Sequence, residues 1–191
     1  MNYLSQQFQK IASWKTAVFF LALMLGCLAI IASPWSPAET LRELAKGLDI
    51  PDAQPLRTSA ALYGQLNAYG AEGIHLYLAK ISLVDCFIPI AQALFLAIVI
   101  SLVLRNLVAS NSKLLWLNLI PVVALLGDYA ENLSLIVIMQ SYPKPLVWLA
   151  DLAMYFTLTK FVFSLLGLAI ILLSLLILGA KSLTGSSAAR A

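Results

Sequence analysis

Four long apolar segments, separated by polar stretches, dominate the pattern along the chain. They cover 16–33, 82–104, 114–139 and 146–180. A membrane-spanning helix needs about 20 mainly apolar residues, and each segment comes close to that length or exceeds it. The pattern therefore predicts an all-α, polytopic membrane protein with four transmembrane helices, which form a single integral membrane domain over 1–191.

The fourth segment is longer than a membrane is thick. At about 1.5 Å per residue its 35 residues extend about 52 Å, whereas the hydrocarbon core is about 30 Å thick. Trp148 and Asp151, near its start, are typical of a membrane interface. We therefore predict the span at 154–178, followed by a disordered tail over 182–191 in which small and polar residues predominate.

A polar loop, 34–80, connects the first two segments and carries helical signals of its own. Apolar residues recur at helical spacing within 37–48. A second apolar stretch, 60–69, ends at Gly70, and glycine disfavours a helix interior. A helical loop between two spans can lie on the membrane surface or cover the end of the bundle. We expect this loop to be helical and to lie on the outer side of the membrane.

The composition agrees with a membrane protein, because 61% of the residues are apolar and 11% are charged, against about 45–50% and about 25% in soluble domains. The net charge of +3 is small and the basic residues form no stripe, so we expect no nucleic-acid partner. The single histidine, His75, excludes a bis-histidine haem and a multi-histidine zinc site. Cys27 and Cys86 are too few for a disulfide framework, and we expect two buried thiols.

The basic residues also set the expected orientation. Cytoplasmic loops of membrane proteins carry an excess of Lys and Arg. If the N-terminus is cytoplasmic, the basic residues of the short segments on that side are Lys10, Lys15, Arg105, Lys113, Lys181 and Arg190. The basic residues of the 34–80 loop are matched by acidic ones. Both termini are therefore predicted to be cytoplasmic.

Four charged side chains fall inside the predicted spans: Asp85, Asp128, Glu131 and Lys160. A charge at the bilayer centre costs about 2.5–3.5 kcal/mol on insertion scales, so it persists mainly where it is paired, hydrated or functional. Asp128, Glu131 and Asn132 stand at i, i+3 and i+4 and share one helix face. The charges predict that neighbouring helices turn a polar interior toward one another.

The predicted depths of these groups agree across three helices. Gln92 lies two turns below Asp85 on the second span. Asp128 falls near the middle of the third span and Glu131 about one turn further out, while Lys160 lies a few turns inside the outer end of the fourth. The agreement favours a single site in the outer half of the membrane.

Three carboxylates facing one ammonium leave a formal charge of −2, which a dry site holds only with a bound cation or with protonated carboxyls. Asp128 and Glu131 are candidates for catalytic acid–base groups or cation ligands, and Lys160 for an anion contact. Asp85 could join the two acids around a divalent cation such as Mg²⁺; the cofactor is otherwise unknown. Asn132 and Gln92 are candidate ligand contacts.

Each of these residues also has a purely structural explanation. Asp85 can act as an anion at a helix N-terminus, and Lys160 can extend its aliphatic stem toward the interface. Asn132 and Gln92 can form hydrogen bonds between helices. The acidic pair of the third span can be balanced by the lysine of the fourth without any ligand.

The motifs around these residues resemble those of a family of small bacterial four-helix integral membrane proteins. The shared pattern has a Tyr and an Asp-Cys-Phe-x-Pro run leading the second span, an Asp-x-x-Glu-Asn run in the third and a Lys in the fourth. The matching residues are Tyr77, Asp85, Phe87, Pro89, Asp128, Glu131, Asn132 and Lys160. The resemblance covers about 60–180. It implies a bacterial inner-membrane location and adds Tyr77 to the candidate ligand contacts, but it implies no activity.

Three functions fit the pattern. The first is a membrane-embedded site that binds a small polar or lipid-headgroup ligand, with or without a reaction that modifies the lipid; it predicts a closed pocket. The second is a proton- or cation-translocating subunit, which four helices would form as a homo-oligomer; it predicts polar groups that continue to the cytoplasmic side. The third is a structural partner of another membrane protein; it predicts that the charges point out of the bundle.

Overall fold

The computed structural model of the protein describes residues 3–34, 36–81 and 85–188. In this part of the chain there is no β-strand, and 82% of the residues are helical. The structure is thus all-helical, which confirms the predicted class. The α-helices are α1 (Tyr3–Ile11), α2 (Trp14–Ile31), α3 (Pro37–Leu44), α4 (Ser59–Leu76), α5 (Ile88–Leu104), α6 (Ile120–Ser141) and α7 (Val147–Ala188).

Three helical segments are long and apolar enough to cross a membrane. They are Trp14–Ile31, Lys113–Ser141 and Val147–Leu183. The second of them combines a 3₁₀-helix, Lys113–Leu119, with α6. The structure is thus compatible with the predicted membrane protein, and these segments overlap three of the four predicted spans.

The remaining predicted span, 82–104, coincides over 88–104 with α5. Helix α5 begins at Ile88 and has 17 residues, which corresponds to about 26 Å. Asp85 is helical and a turn over 86–87 follows it directly before α5, while 82–84 lie outside the described residues. Pro89 lies in the first turn of α5. A proline there favours a helix start, because its missing N–H would have no partner within the helix.

Helix α5 is the central helix of the bundle. It packs against α2, α6 and α7, and twelve of its residues are buried. A helix that is apolar on every side belongs in an interior surrounded by other helices. The neighbours of α5 therefore provide much of its apolar environment, and polar residues on α5 face other helices.

Helices α6 and α7 pack closely because Gly127 has no side chain. A Cβ at this position would lie 3.2 Å from the backbone nitrogen of Lys160 and 3.3 Å from the carbonyl oxygen of Phe156. This close approach brings the acidic face of α6 directly against the lysine of α7. Gly127, which was not among the predicted site residues, therefore permits the close approach of the two helices at the candidate site.

The predicted helical loop covers one end of the bundle. We call residues 36–81 the lid segment. It contains α3, a 3₁₀-turn at Pro51–Ala53, α4 and a π-helical turn at Tyr77–Ile81. Its apolar side chains form one core with α6, and the main buried members are Leu41, Leu62, Leu66, Tyr69, Leu135 and Ile138.

The helix boundaries in the lid segment have local causes. The Ser36 and Thr58 side chains accept hydrogen bonds from backbone N–H groups in the first turns of α3 and α4, which satisfies donors that the helices leave unpaired. Gly70 has φ +59° and interrupts α4. The predicted end of the 60–69 helix at Gly70 thus appears as a kink, after which the chain turns helical again.

Helix α1 closes the opposite end of the bundle. The amide nitrogen of Asn118 donates to the Ser101 hydroxyl at 2.9 Å and to the Ser5 carbonyl at 3.1 Å. The Ser5 hydroxyl donates to the Leu115 carbonyl at 3.2 Å. These buried contacts attach the N-terminal helix to α5 and to the start of the third apolar segment.

Two predictions differ in detail from the structure. Helix α7 has 42 residues and continues to Ala188, so the tail predicted to be disordered from 182 is helical through that residue. Its Ala and Leu residues favour helix and no proline interrupts it; 189–191, with Arg190, lie outside the described residues. Cys27 is half-buried and Cys86 is exposed, rather than both being buried, and they form no disulfide with each other.

Candidate functional site

The Glu131 carboxylate lies at the centre of the polar cluster and is fully buried. Its Oε2 atom lies 2.8 Å from Nζ of Lys160, and its Oε1 atom lies 3.2 Å from Nη1 of Arg57. The Thr157 hydroxyl also donates to Oε1. One carboxylate therefore contacts two cations from different parts of the fold.

Lys160 connects both acids of α6. Its Nζ atom lies 3.5 Å from Oδ2 of Asp128, in addition to its contact with Glu131. The lysine side chain is 12% exposed, so it stays among the helices instead of extending to the surface. Asn132 donates to Oδ1 of Asp128 at 2.9 Å. The structure thus places the predicted Asp128, Glu131, Asn132 and Lys160 in one cluster.

Arg57 joins this cluster from the lid segment and was not among the predicted site residues. Its side chain is 1% exposed. Its Nη1 atom also donates to the Pro51 carbonyl, whereas Nε and Nη2 have no hydrogen-bond partner among the described residues. The sequence prediction treats Arg57 as one of the basic loop residues that are matched by acidic residues of the same loop. No local spacing links it to Glu131, which is 74 positions away.

Asp52 is a second contribution from the lid segment that the sequence prediction missed. It is buried and accepts a hydrogen bond of 3.0 Å from the Tyr77 hydroxyl. Burial raises the pKa of Tyr77 well above its ordinary value, and the nearby Asp52 and Asp85 carboxylates raise it further. The Tyr77 hydroxyl therefore remains protonated and donates its hydrogen bond to Asp52.

A cavity of about 270 Å³ lies beneath the lid segment. Its polar wall consists of Asp52, Asp85, Gln92, Asp128, Lys160 and Ser164. Gln92 donates to the Ser164 hydroxyl at 2.9 Å across the helices. The cavity is slightly smaller than the range of about 300–1,000 Å³ that is typical of ligand pockets.

The rest of the cavity wall is apolar and comes from all the long helices and the lid. Its larger members are Leu28, Ile31, Ile50, Ile88, Leu96 and Phe161. At the deep end, a Cβ on Gly167 would lie 3.5 Å from Leu96 and 3.6 Å from Pro121. The cavity thus combines charged groups near the lid with an apolar region that extends along α5 toward Leu96.

Asp85 is the acid of the cavity with the fewest contacts. It is 7% exposed, and its carboxylate has no hydrogen bond or ion pair with any described residue. The Tyr129 hydroxyl donates to the neighbouring Cys86 carbonyl at 2.8 Å, which holds this turn against α6. A buried carboxylate without a donor is costly unless something else compensates it.

The charges of the site do not balance. The cavity wall contains three carboxylates and one ammonium, a formal charge of −2. Glu131 and Arg57, just behind the wall, cancel each other. The sequence predicts a formal charge of −2 from the residues of the spans. Asp52 and Arg57 of the lid segment add one negative and one positive charge, so this excess does not change.

The described residues do not bring three His, Cys, Asp or Glu side chains together in a group that could hold a metal ion. Both oxygens of Glu131 already contact protein cations. The hypothetical metal set of Asp85, Asp128 and Glu131 is thus not assembled in this conformation, although Asp85 and Asp128 line the same cavity.

Comparison with known proteins found no match among family models, curated proteins or solved structures. The function must therefore be inferred from the chemistry of the site itself.

Proposed function

We propose that this chain is a four-span protein of the bacterial inner membrane, with both termini cytoplasmic, which binds a small polar or lipid-headgroup ligand beneath the lid segment. The observation that carries the proposal is the cavity, because it joins a charged region to an apolar region within the helix bundle. A lipid headgroup with the first carbons of its chain needs that combination of surfaces. Concave, mostly apolar pockets with a few convergent polar groups are the usual form of ligand sites.

The fourth span in this proposal is α5. Its length of about 26 Å approaches the thickness of about 30 Å of the hydrocarbon core. It packs between three helices that are each long enough to cross a membrane, and a central helix shielded by neighbours tolerates a shorter apolar length. In this arrangement the cavity lies in the outer half of the bilayer.

The contacts suggest different roles for the charged residues. Lys160 lines the cavity and provides an anion contact, while Glu131 behind it holds the ammonium in place. Asp128 and Asp85 line the cavity as acceptors or acid–base groups. If the protein modifies a bound lipid, these two carboxylates are the groups placed to transfer a proton.

Ion translocation is less well supported. Between the Gln92–Ser164 pair and the Ser101–Asn118 pair, the described part of α5 presents apolar residues such as Leu96 and Ile98, which are almost fully buried. A role as an assembly partner is also less well supported, because the charged side chains of Glu131, Lys160 and Asp128 are at most 17% exposed.

The proposal can be tested by filling the cavity from its mouth. Ala53 lines the cavity from the lid but is itself exposed, so Ala53→Trp should reduce the volume without altering the helix core. We expect native mass spectrometry of the purified full chain to show loss of co-purified lipid or small molecule. Ala68→Trp, at an exposed position of α4 outside the cavity, is the matched control. Equal ligand occupancy in both variants and the wild type would contradict the proposal.

A further inference from the structure

We infer that the ligand carries a protonated amine on an apolar body, with its ammonium group bound by the Asp85 carboxylate. This inference rests on the proposed function and specifies the ligand chemistry. It starts from the one carboxylate of the cavity that the described residues leave without a donor.

The other acids of the site already have partners. Asp52 accepts from Tyr77, and Asp128 accepts from Asn132 and contacts Lys160. Asp85 is as buried as Asp52, at 7% exposure for each, but has no such contact. A buried ionised carboxylate is stabilised by a charge-assisted hydrogen bond, and an ammonium group supplies up to three N–H donors.

The charge of the wall determines the sign of the ligand group. With three carboxylates and one ammonium, the cavity has a formal charge of −2. A cation that enters reduces this excess, whereas an anionic group alone would increase it. Lys160 lies on the same wall, so a ligand with both an ammonium and a phosphate can place its phosphate there and its ammonium at Asp85.

An ammonium fits this wall better than a hard divalent metal. A metal such as Mg²⁺ demands near-octahedral oxygen ligands, and the described side chains provide no group of three acids or histidines that could hold an ion. An ammonium is satisfied by one carboxylate and neutral acceptors. The apolar residues below the acids, Ile88 and Leu96 among them, contact the carbon chain of such a ligand but would not solvate a metal ion.

Two sources can provide this chemistry: the headgroup of a phosphatidylethanolamine in the bilayer, or a free alkylamine that enters from water. The test uses native mass spectrometry of the detergent-solubilised full chain with added dioleoyl lipids that carry ethanolamine, choline or glycerol headgroups, and separately with octylamine. The choline lipid has the same charge as the ethanolamine lipid but carries three methyl groups in place of the N–H donors, so the comparison tests the primary ammonium at constant charge.

We expect the ethanolamine lipid to bind about tenfold more tightly than the choline and glycerol lipids, the factor that corresponds to one hydrogen bond to a charged group. Asp85→Asn should remove this preference, while Asp151→Asn, at an exposed position of α7 outside the cavity, should keep it. Binding of octylamine that Asp85→Asn weakens, without a preference among the lipids, would support the inference with a free amine as the source.

Equal binding of all three lipids and no binding of octylamine would overturn the inference. If Ala53→Trp still abolished that equal binding, the proposed function would stand without the amine. If Ala53→Trp had no effect either, both would fail. Should Asp85→Asn not fold, the headgroup comparison on the wild-type protein decides alone, and addition of MgCl₂ must not displace the ethanolamine lipid.

Discussion

The contact between Arg57 and Glu131 gives the sharpest test of how the lid segment is held. Their charged atoms lie 3.2 Å apart and their side chains are 1% and 0% exposed. Removal of one partner from a buried ion pair costs about 3–5 kcal/mol, because the remaining charge is left uncompensated. We expect the two single variants to fall at different ends of that range.

Arg57→Met should lower the unfolding free energy by about 3 kcal/mol. Glu131 would keep its contact with Lys160 at 2.8 Å and its hydrogen bond from Thr157, so its charge stays compensated. Glu131→Gln should cost about 5 kcal/mol, because Arg57 would lose its counter-charge and keep only neutral acceptors such as the Pro51 carbonyl.

The double variant Arg57→Met/Glu131→Gln should be more stable than Glu131→Gln alone. In the single variant the buried Arg57 cation has lost its carboxylate partner, whereas in the double variant this cation is absent. The measurement is equilibrium unfolding in mixed micelles, combined with hydrogen exchange of the lid amides. The sum of the stability losses of the two single variants is compared with the loss of the double variant. If the two agree within about 0.5 kcal/mol, the residues do not interact and the reasoning is refuted.

Arg42 provides the control for the charge change itself. It forms an ion pair with Asp49 at 2.8 Å, but the two side chains are 43% and 58% exposed. Exposed pairs contribute little because water screens them. Arg42→Met should therefore leave the unfolding free energy and the exchange of the lid amides unchanged.

Three further predictions concern the framework of the site. Gly127→Val should destabilise the protein by about 1–3 kcal/mol in the same unfolding assay, because the added atoms would meet the backbone of α7; Gly26→Val, where nothing lies within 4 Å, should cost less than about 1 kcal/mol. Tyr77→Phe should lower thermal stability by about 1–3 kcal/mol, since Asp52 loses a buried donor; an unchanged melting temperature would contradict this. Asn118→Leu should detach α1 and speed its cleavage by trypsin, whereas an unchanged cleavage rate would assign the attachment to other contacts.

Helix periodicity was sufficient to group the residues that lie on regular helices. Asp128, Glu131 and Lys160 are in contact through their charged groups, and Asp85 and Gln92 line the same cavity as the lysine. Each of these relations follows from spacing on one helix plus the cost of an isolated charge in lipid. The spacing of the residues and the presence of charges in apolar segments can both be taken from the sequence, without knowledge of how the lid segment folds.

The residues that the sequence did not reveal lie in irregular parts of the lid. Asp52 is in a 3₁₀-turn, and Arg57 precedes the first turn of α4. Their position depends on how the apolar face of the lid packs on α6, which brings together residues far apart in the chain. The periodicity of the local sequence does not indicate packing between residues that are far apart in the chain. The turn at 86–87 was also not predicted, because the apolar pattern continues through Cys86 and Phe87 and does not mark it.

The position of Glu131 between two cations has a thermodynamic effect on the whole assembly. One oxygen contacts Arg57 of the lid and the other contacts Lys160 of α7. Because one carboxylate holds both contacts, its loss would weaken the attachment of the lid segment and the contact between α6 and α7 together. A single glutamate therefore couples the stability of the lid segment to that of the helix bundle.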